Sequence, residues 1–181
     1  MNAISLLTHR QSTPLLKSPG PEADDLEKII TAGMRVPDHA GLKPWQFTII
    51  RDDGLQKLSD LFVTSSIDVP NANIEKISKM PFRAPMIIVV STQYTKHEKV
   101  PLKEQLITAG CCVHAMQMAC VALGYGAMWR TGALASNETV KAGLGVSIQN
   151  EIVGFLYIGT PCKEDRLKPN RTLEDKISYW Q

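Results

Sequence analysis

The apolar residues of this chain change their period along its length, and each change marks an element. Residues 2–9 carry Ile4, Leu6 and Leu7 at helical spacing. Ser12 to Pro21 reads as a loop, punctuated by Pro14, Ser18, Pro19, Gly20 and Pro21. From Glu22 to Arg35 the positions Leu26, Ile29, Ile30 and Met34 return to helical spacing, with acidic residues in the first turn where the macrodipole favours them. Trp45 to Ile50 is rich in aromatic and β-branched residues and reads as a strand. Asp52 and Asp53 offer an N-cap for a helix through about Ser65. Val69 to Met80 is a loop followed by another helix.

Met86 to Ser91 is apolar without alternation, which predicts a central strand covered on both faces. Pro101 suits the first turn of a long helix running to about Leu123 and ending at Gly124. Ala127 to Thr131 is a strand or an extended loop. Ser136 to about Leu144 is helical with Ser136 as N-cap. Glu151 to Gly159 is the last clear strand, and residues 160–181 form an extended tail. Helices alternating with strands predict a three-layer α/β/α sandwich over 1–181 as one domain. The helix of residues 101–123 is apolar nearly all round, so it needs cover on every side. A second subunit supplies that cover, and a homodimer is expected.

Composition narrows the function. The chain has 181 residues, 44% hydrophobic and 21% charged, with a formal net charge of only +2. No concentrated basic footprint exists, which argues against a nucleic-acid partner. Cys111, Cys112, Cys120 and Cys162 form no CxxC pair and read as buried free thiols, so the expected location is the reducing cytoplasm. The N-terminal residues lack the pattern of a signal peptide. Leu106 to Tyr125 mimics a membrane span in length, but it carries Thr108, Gly110, His114 and Gln117 and reads as a core helix. No membrane partner and no metal site are expected.

The candidate chemistry gathers in three places. Arg35, Asp38, His39 and Lys43 crowd the short loop between the second helix and the first strand, held by Pro37 and Pro44. Arg10-Gln11-Ser12 follows the first helix with a cation, an amide and a hydroxyl. Trp129-Arg130-Thr131-Gly132 offers an aromatic ring, a guanidinium and a glycine that lets backbone approach a ligand. A flavin mononucleotide wants such groups: cationic and hydroxyl donors at its phosphate, positive charge at the pyrimidine edge, and backbone amides near N5. A Rossmann nucleotide site fits poorly, because Gly124-Tyr125-Gly126 follows a helix rather than a strand.

In this order, these residues resemble the FMN-dependent nitroreductase family, and in particular its small single-domain members. The matching stretches are Thr8-His9-Arg10-Gln11-Ser12, Gly33-Met34-Arg35-Val36-Pro37-Asp38-His39, Lys43-Pro44-Trp45-Gln46-Phe47, Pro81-Phe82-Arg83-Ala84-Pro85, Ala115-Met116-Gln117-Met118-Ala119, Trp129-Arg130-Thr131-Gly132 and Ile152 through Pro161. The resemblance implies an α+β fold of the nitroreductase-like kind and a homodimer with FMN at the subunit interface. It implies that Arg10, Gln11 and Ser12 bind FMN from one chain, and that Arg35 and His39 reach it from the other. It further implies that Trp129, Arg130 and Thr131 line the flavin, partly through backbone amides. Ala119 to Gly124 matches a region that meets the nicotinamide nucleotide.

The implied reaction is ping-pong. NADH or NADPH reduces the flavin at N5, and a small acceptor such as a nitroaromatic or a quinone then takes two electrons. No side chain need act as a nucleophile. The alternatives are a flavin-binding or flavin-storing protein without turnover, and another flavin reaction on the same fold. Gln11 departs from the family's usual Arg-Arg-Ser or Arg-Ser, a loss of charge worth about 1 kcal/mol or more at a phosphate. Lys168 and Arg171 in the tail are the candidate compensating cations, and the alternative reading makes both solvated tail charges.

Overall fold

The computed structural model describes residues 2–163 and 176–180. Lys168 and Arg171 lie outside the described residues, as does most of the segment expected to be a tail. The fold is built on an antiparallel sheet. Strand β3 (Met86–Thr92) is buried at every residue, as its unbroken apolar run predicts. On one side it pairs with β2 (Trp45–Arg51), and on the other with β5 (Ile152–Pro161). Strand β5 also pairs with β4 (Gly126–Arg130) and, at its end, with β1 (Leu16–Lys17).

Helices cover both faces. On one face α5 (Leu102–Ala122) packs with α2 (Ala23–Gly33) over Ile88, Val90, Leu156 and Ile158. On the other, α3 (Asp53–Thr64) and α7 (Glu138–Gly143) pack over Ile87, Val89, Phe155 and Tyr157. The three layers and the mixed α+β class predicted from the sequence are therefore present. The alternation of side chains along β3 and β5 divides the core into these two halves. Helix α1 (Ala3–His9) packs on α5, and α4 (Ile74–Ser78) packs on α3.

Several local expectations need correction. The loop Ser12–Pro21 contains β1, whose two residues pair with Pro161 and Thr160 at the far end of the sequence. Local propensity cannot reveal so short a strand, because its partner strand creates it. The Ser136 helix is two short helices, α6 (Ala133–Ser136) and α7. The cap of α7 is Asn137, whose side chain accepts from Val140 N at 3.1 Å. Asp52 stands at the N-cap of α3 with φ of 52°, and its side chain makes no capping hydrogen bond. Pro101 takes the N-cap of α5 rather than its first turn. Strand β5 continues through Pro161, so residues 160 and 161 belong to the sheet and not to a tail.

The cysteine expectation holds in half. All four thiols are free, but Cys111 and Cys162 are exposed. Burial pushes the thiols of Cys112 and Cys120 up to about 12.

Helix α5 is long and apolar enough to cross a membrane by composition alone. Its buried side, including Ala109, Cys112, Val113, Met116 and Cys120, packs on the sheet and α2. Its outer side leaves Leu102, Ile107, Cys111 and His114 exposed. The expectation of cover all round is thus not met among the described residues of one chain.

One close approach fixes how α5, β4 and β5 fit together. The Trp129 indole lies directly against Gly154 of β5 and donates from Nε1 to the Val153 carbonyl at 3.2 Å. A Cβ at Gly154 would collide with that indole and stand 2.9 Å from the Arg130 carbonyl oxygen. Gly154→Ala is expected to destabilise the fold by about 2–3 kcal/mol through overpacking, read as a lower midpoint in urea unfolding.

Candidate functional site

The N-terminal segment that follows α1 is held in place by pairing with residues far away in sequence. Thr13 N donates to the Ala127 carbonyl at 3.0 Å, and Cys162 N donates to the Leu15 carbonyl at 3.0 Å. Gly126 makes room for it, since a Cβ there would stand 2.6 Å from Leu16 Cδ2. This docking brings Arg10 and Ser12 onto α5.

Gln117 of α5 joins them. It is buried, at 4% exposure. Its Oε1 accepts from Arg10 Nη1 at 3.5 Å, and its Nε2 donates to Ser12 Oγ at 3.5 Å and to the Ala127 carbonyl at 3.1 Å. Arg10 and Gln11 also line a pocket of about 220 Å³ with Val121 and Gly124, from the end of α5. The phosphate candidates and part of the stretch matched to nicotinamide binding thus share one surface.

The second group is built on the loop after α2. Asp38 makes this loop rigid. Its carboxylate accepts from Leu42 N at 3.1 Å and from Lys43 N at 2.8 Å. Ala40 and Lys43 are held at φ of 64° and 50°, conformations that cost a side-chain-bearing residue of order 1 kcal/mol or more each. His39 donates from Nδ1 to Glu104 Oε2 at 3.0 Å, near the start of α5, and Thr108 Oγ1 donates to the Pro37 carbonyl at 3.4 Å. Arg35 is exposed just past α2 and lines an open pocket of about 590 Å³ with residues of that helix.

Within one chain these two groups stand apart. Glu104 and Gln117 are 13 residues apart on α5, a rise of about 20 Å. Arg10 and Ser12 therefore sit near one end of the helix, and His39 sits near the other.

The third group divides between the faces of the sheet. Ala127 and Trp129 of β4 turn toward α5, whereas Met128 and Arg130 turn to the opposite face. The guanidinium carbon of Arg130 lies 5.4 Å from the centre of the Tyr157 ring. Burial first, and the neighbouring Arg83 second, hold the Arg130 pKa below the usual arginine value. Thr131 is exposed just beyond the strand.

Sequence reading put Asp38 in the loop cluster without a partner and gave no role to Gln117 or Glu104. A glutamine inside an otherwise apolar helix is a visible signal, because a buried amide needs partners. The roles of Asp38 and Glu104 depend on contacts that no local pattern shows.

A three-layer fold with an antiparallel sheet and polar groups near both ends of a long half-covered helix defines the class. The sequence model of the Nitroreductase family matches residues 7–160, and the chain belongs to that family. Among its relatives is YdjA of Escherichia coli (strain K12), which bears an NAD(P)H nitroreductase name. The two are 43% identical over 163 residues, covering 89% of each chain. A nitroreductase-like family protein from Bacillus cereus has the same fold, with a TM-score of 0.89 at 21% identity over 100% of this chain and 97% of that one. An FMN-dependent nitroreductase from Clostridium difficile superposes with a TM-score of 0.74 at 19% identity, covering 97% of this chain and 98% of that one.

Gln117→Leu is expected to cost about 1–3 kcal/mol in urea unfolding, because the Ala127 carbonyl loses its side-chain donor and Arg10 and Ser12 lose a shared anchor.

Proposed function

We propose that the protein is an FMN oxidoreductase that passes two electrons from NADH or NADPH to a small oxidised acceptor. Membership of the Nitroreductase family supports this class of chemistry. The observation that carries the cofactor is the convergence of Arg10 and Ser12 on the buried Gln117 amide. A guanidinium and a hydroxyl held side by side, with Gln11 next to them in sequence, are the donors a phosphate dianion needs. Gln11 supplies an amide where a second cation is usual, so Arg10 takes the larger share of the charge.

A bound FMN supplies two-electron transfer at its ring N5, from reduced nicotinamide to acceptors such as nitroaromatics or quinones. The chain's own residues supply position and charge. Gln117 fixes Arg10 and Ser12 against α5. The Trp129 indole, locked by Val153 and Gly154, gives a rigid wall beside the stretch Thr131–Gly132. Asp38 holds the loop that presents His39, and Glu104 orients the imidazole.

The working unit we propose is a homodimer formed across the open side of α5. Arg10 and His39 lie near opposite ends of that helix, so one chain alone cannot bring them to one ligand. A second copy running antiparallel along α5 sets the His39 end of one chain beside the Arg10 end of the other. The same contact covers Ile107, which is 57% exposed, and meets the apolar Ile4 and Leu7 of α1. Each flavin is then held by Arg10, Gln11 and Ser12 from one subunit and by Arg35 and His39 from its partner. The free cysteines suit the reducing cytoplasm, where we place the protein.

Two measurements test this reading. The purified protein is expected to show a flavin spectrum that bleaches when NADH or NADPH is added without oxygen. A flavin-loaded sample that fails to bleach with either nucleotide favours storage over turnover. Arg10→Ala is expected to weaken FMN binding about tenfold or more, as loss of a charge-assisted hydrogen bond does. For the dimer, mass-mapped thiol labelling at pH 8 is the check. Cys112 and Cys120 should stay unlabelled in the folded protein, and Cys111 should label slowly at micromolar protein and faster on dilution. Equal Cys111 rates at micromolar and nanomolar concentration would remove α5 from the interface.

A further inference from the structure

Helix α5 holds two buried glutamines, and the flavin reading uses only Gln117. The other, Gln105, is 1% exposed. Its Oε1 accepts from Thr95 N at 3.0 Å, and its Nε2 donates to the Thr95 carbonyl at 2.8 Å and to the Val100 carbonyl at 3.2 Å. All three bonds go to the backbone of the segment between β3 and α5. Asn150 Oδ1 holds the same segment by accepting from Tyr94 N at 2.8 Å. Gln93 N donates to the Pro44 carbonyl at 3.1 Å, which sets the segment beside the loop that carries His39. Glu104, which pairs with His39, donates its backbone N–H to the Pro101 carbonyl at 3.0 Å.

A leucine at position 105 would fill the core without the cost of burying an amide. The amide is satisfied by one shape of this segment, so it holds the segment in that shape. The tip is Lys96-His97-Glu98-Lys99, exposed at every residue. His97 Nδ1 accepts from Lys99 N at 3.2 Å and closes the tip into a tight turn. Neither Lys96 nor Lys99 forms an ion pair with a described residue. From Gln93 to Lys103 there are three lysines and one glutamate, an excess equal to the formal net charge of the whole chain. A fixed backbone beneath unpaired cations suits recognition of an anion, whereas a merely solvated turn needs no buried anchor.

We propose that Lys96 and Lys99 bind the 2′-phosphate of NADPH and so select NADPH over NADH, an inference that rests on the oxidoreductase reading and its antiparallel dimer. In that dimer the tip lies at the His39 end of one chain, beside the Arg10 end of the other. The stretch Ala119–Gly124 and the pocket of about 220 Å³ that Val121 and Gly124 line are at that second end. NADH and NADPH differ only in this phosphate. It sits on the adenosine ribose, away from the reacting ring, which matches a loop at the outer rim of the site. A phosphate monoester carries close to two charges, and a lysine ammonium meets it as a point charge.

Two measurements on the flavin-loaded protein test the proposal. The first needs no turnover: isothermal titration with adenosine 2′,5′-bisphosphate and with 5′-AMP. Wild type is expected to bind the bisphosphate about fivefold or more tightly than 5′-AMP, and the double variant Lys96→Gln/Lys99→Gln to bind the two alike. The second is KM in flavin reduction. The double variant is expected to raise KM for NADPH about tenfold and to leave KM for NADH within about twofold. Lys57→Gln removes an exposed cation from α3, away from the tip, and should change neither preference. The proposal is overturned if wild type binds the two adenosine ligands alike, if the double variant keeps the difference, or if NADH and NADPH lose equally. It is equally overturned if Lys57→Gln abolishes the preference. A flavin that neither nucleotide bleaches refutes the oxidoreductase reading instead, and the titration still decides whether Lys96 and Lys99 recognise the phosphate.

Discussion

Strand β5 is the constraint on which the rest of the molecule depends. It pairs with β3 along most of its length, with β4 through Gly159, and with β1 at Thr160 and Pro161. Both of its faces are buried, with Leu156 and Ile158 on the α5 side and Phe155 and Tyr157 on the other. Burying four such side chains is worth about 1.5–3 kcal/mol each before entropy is counted, so the register of β5 is strongly specified. A one-residue slip would exchange the two cores and pull Gly154 out from under Trp129. Through β1 and the contacts around it, β5 also fixes the segment that carries Arg10 to Ser12.

Helix α5 then sets the scale of the site. It buries one side and leaves the other open, and the polar groups of interest lie near its two ends. Gln117 near one end binds Arg10 and Ser12, and Glu104 near the other binds His39. Neither glutamine nor glutamate sits there by helix preference alone. Gln117 is buried and so requires its partners, whereas Glu104 is exposed in the first turn of α5 and meets His39 at the surface. The distance between them, fixed by helix rise, is the physical basis for proposing that two chains complete each site.

The opposite face shows a different use of the same β4 strand. Alternation places Trp129 in the α5 core and Arg130 against Tyr157, so neighbouring residues in one motif serve different surfaces. The motif Trp129-Arg130-Thr131-Gly132 looks like a single site in the sequence. In the fold it presents an indole toward α5, a guanidinium toward Tyr157 and an exposed turn at Thr131.

Much of the architecture was legible from periodicity. The unbroken apolar run Met86–Ser91 identified the buried central strand, and the all-round apolar character of residues 101–123 identified the long helix that a single chain cannot cover. These signals are local, because side-chain spacing reports directly on which faces are buried. The short strand β1, the split at Asn137 and the exposure of Cys111 were not legible, because each depends on which neighbour arrives. The site divides in the same way. Sequence singled out Arg10, Ser12, Arg35, His39 and Trp129 by residue type and order. Only the tertiary structure decided that Gln117 gathers Arg10 and Ser12, that His39 lies about 20 Å of helix away, and that Arg130 faces the other side of the sheet. Residue type fixes what a group can do chemically, but long-range strand pairing and helix rise fix which groups can act on one ligand.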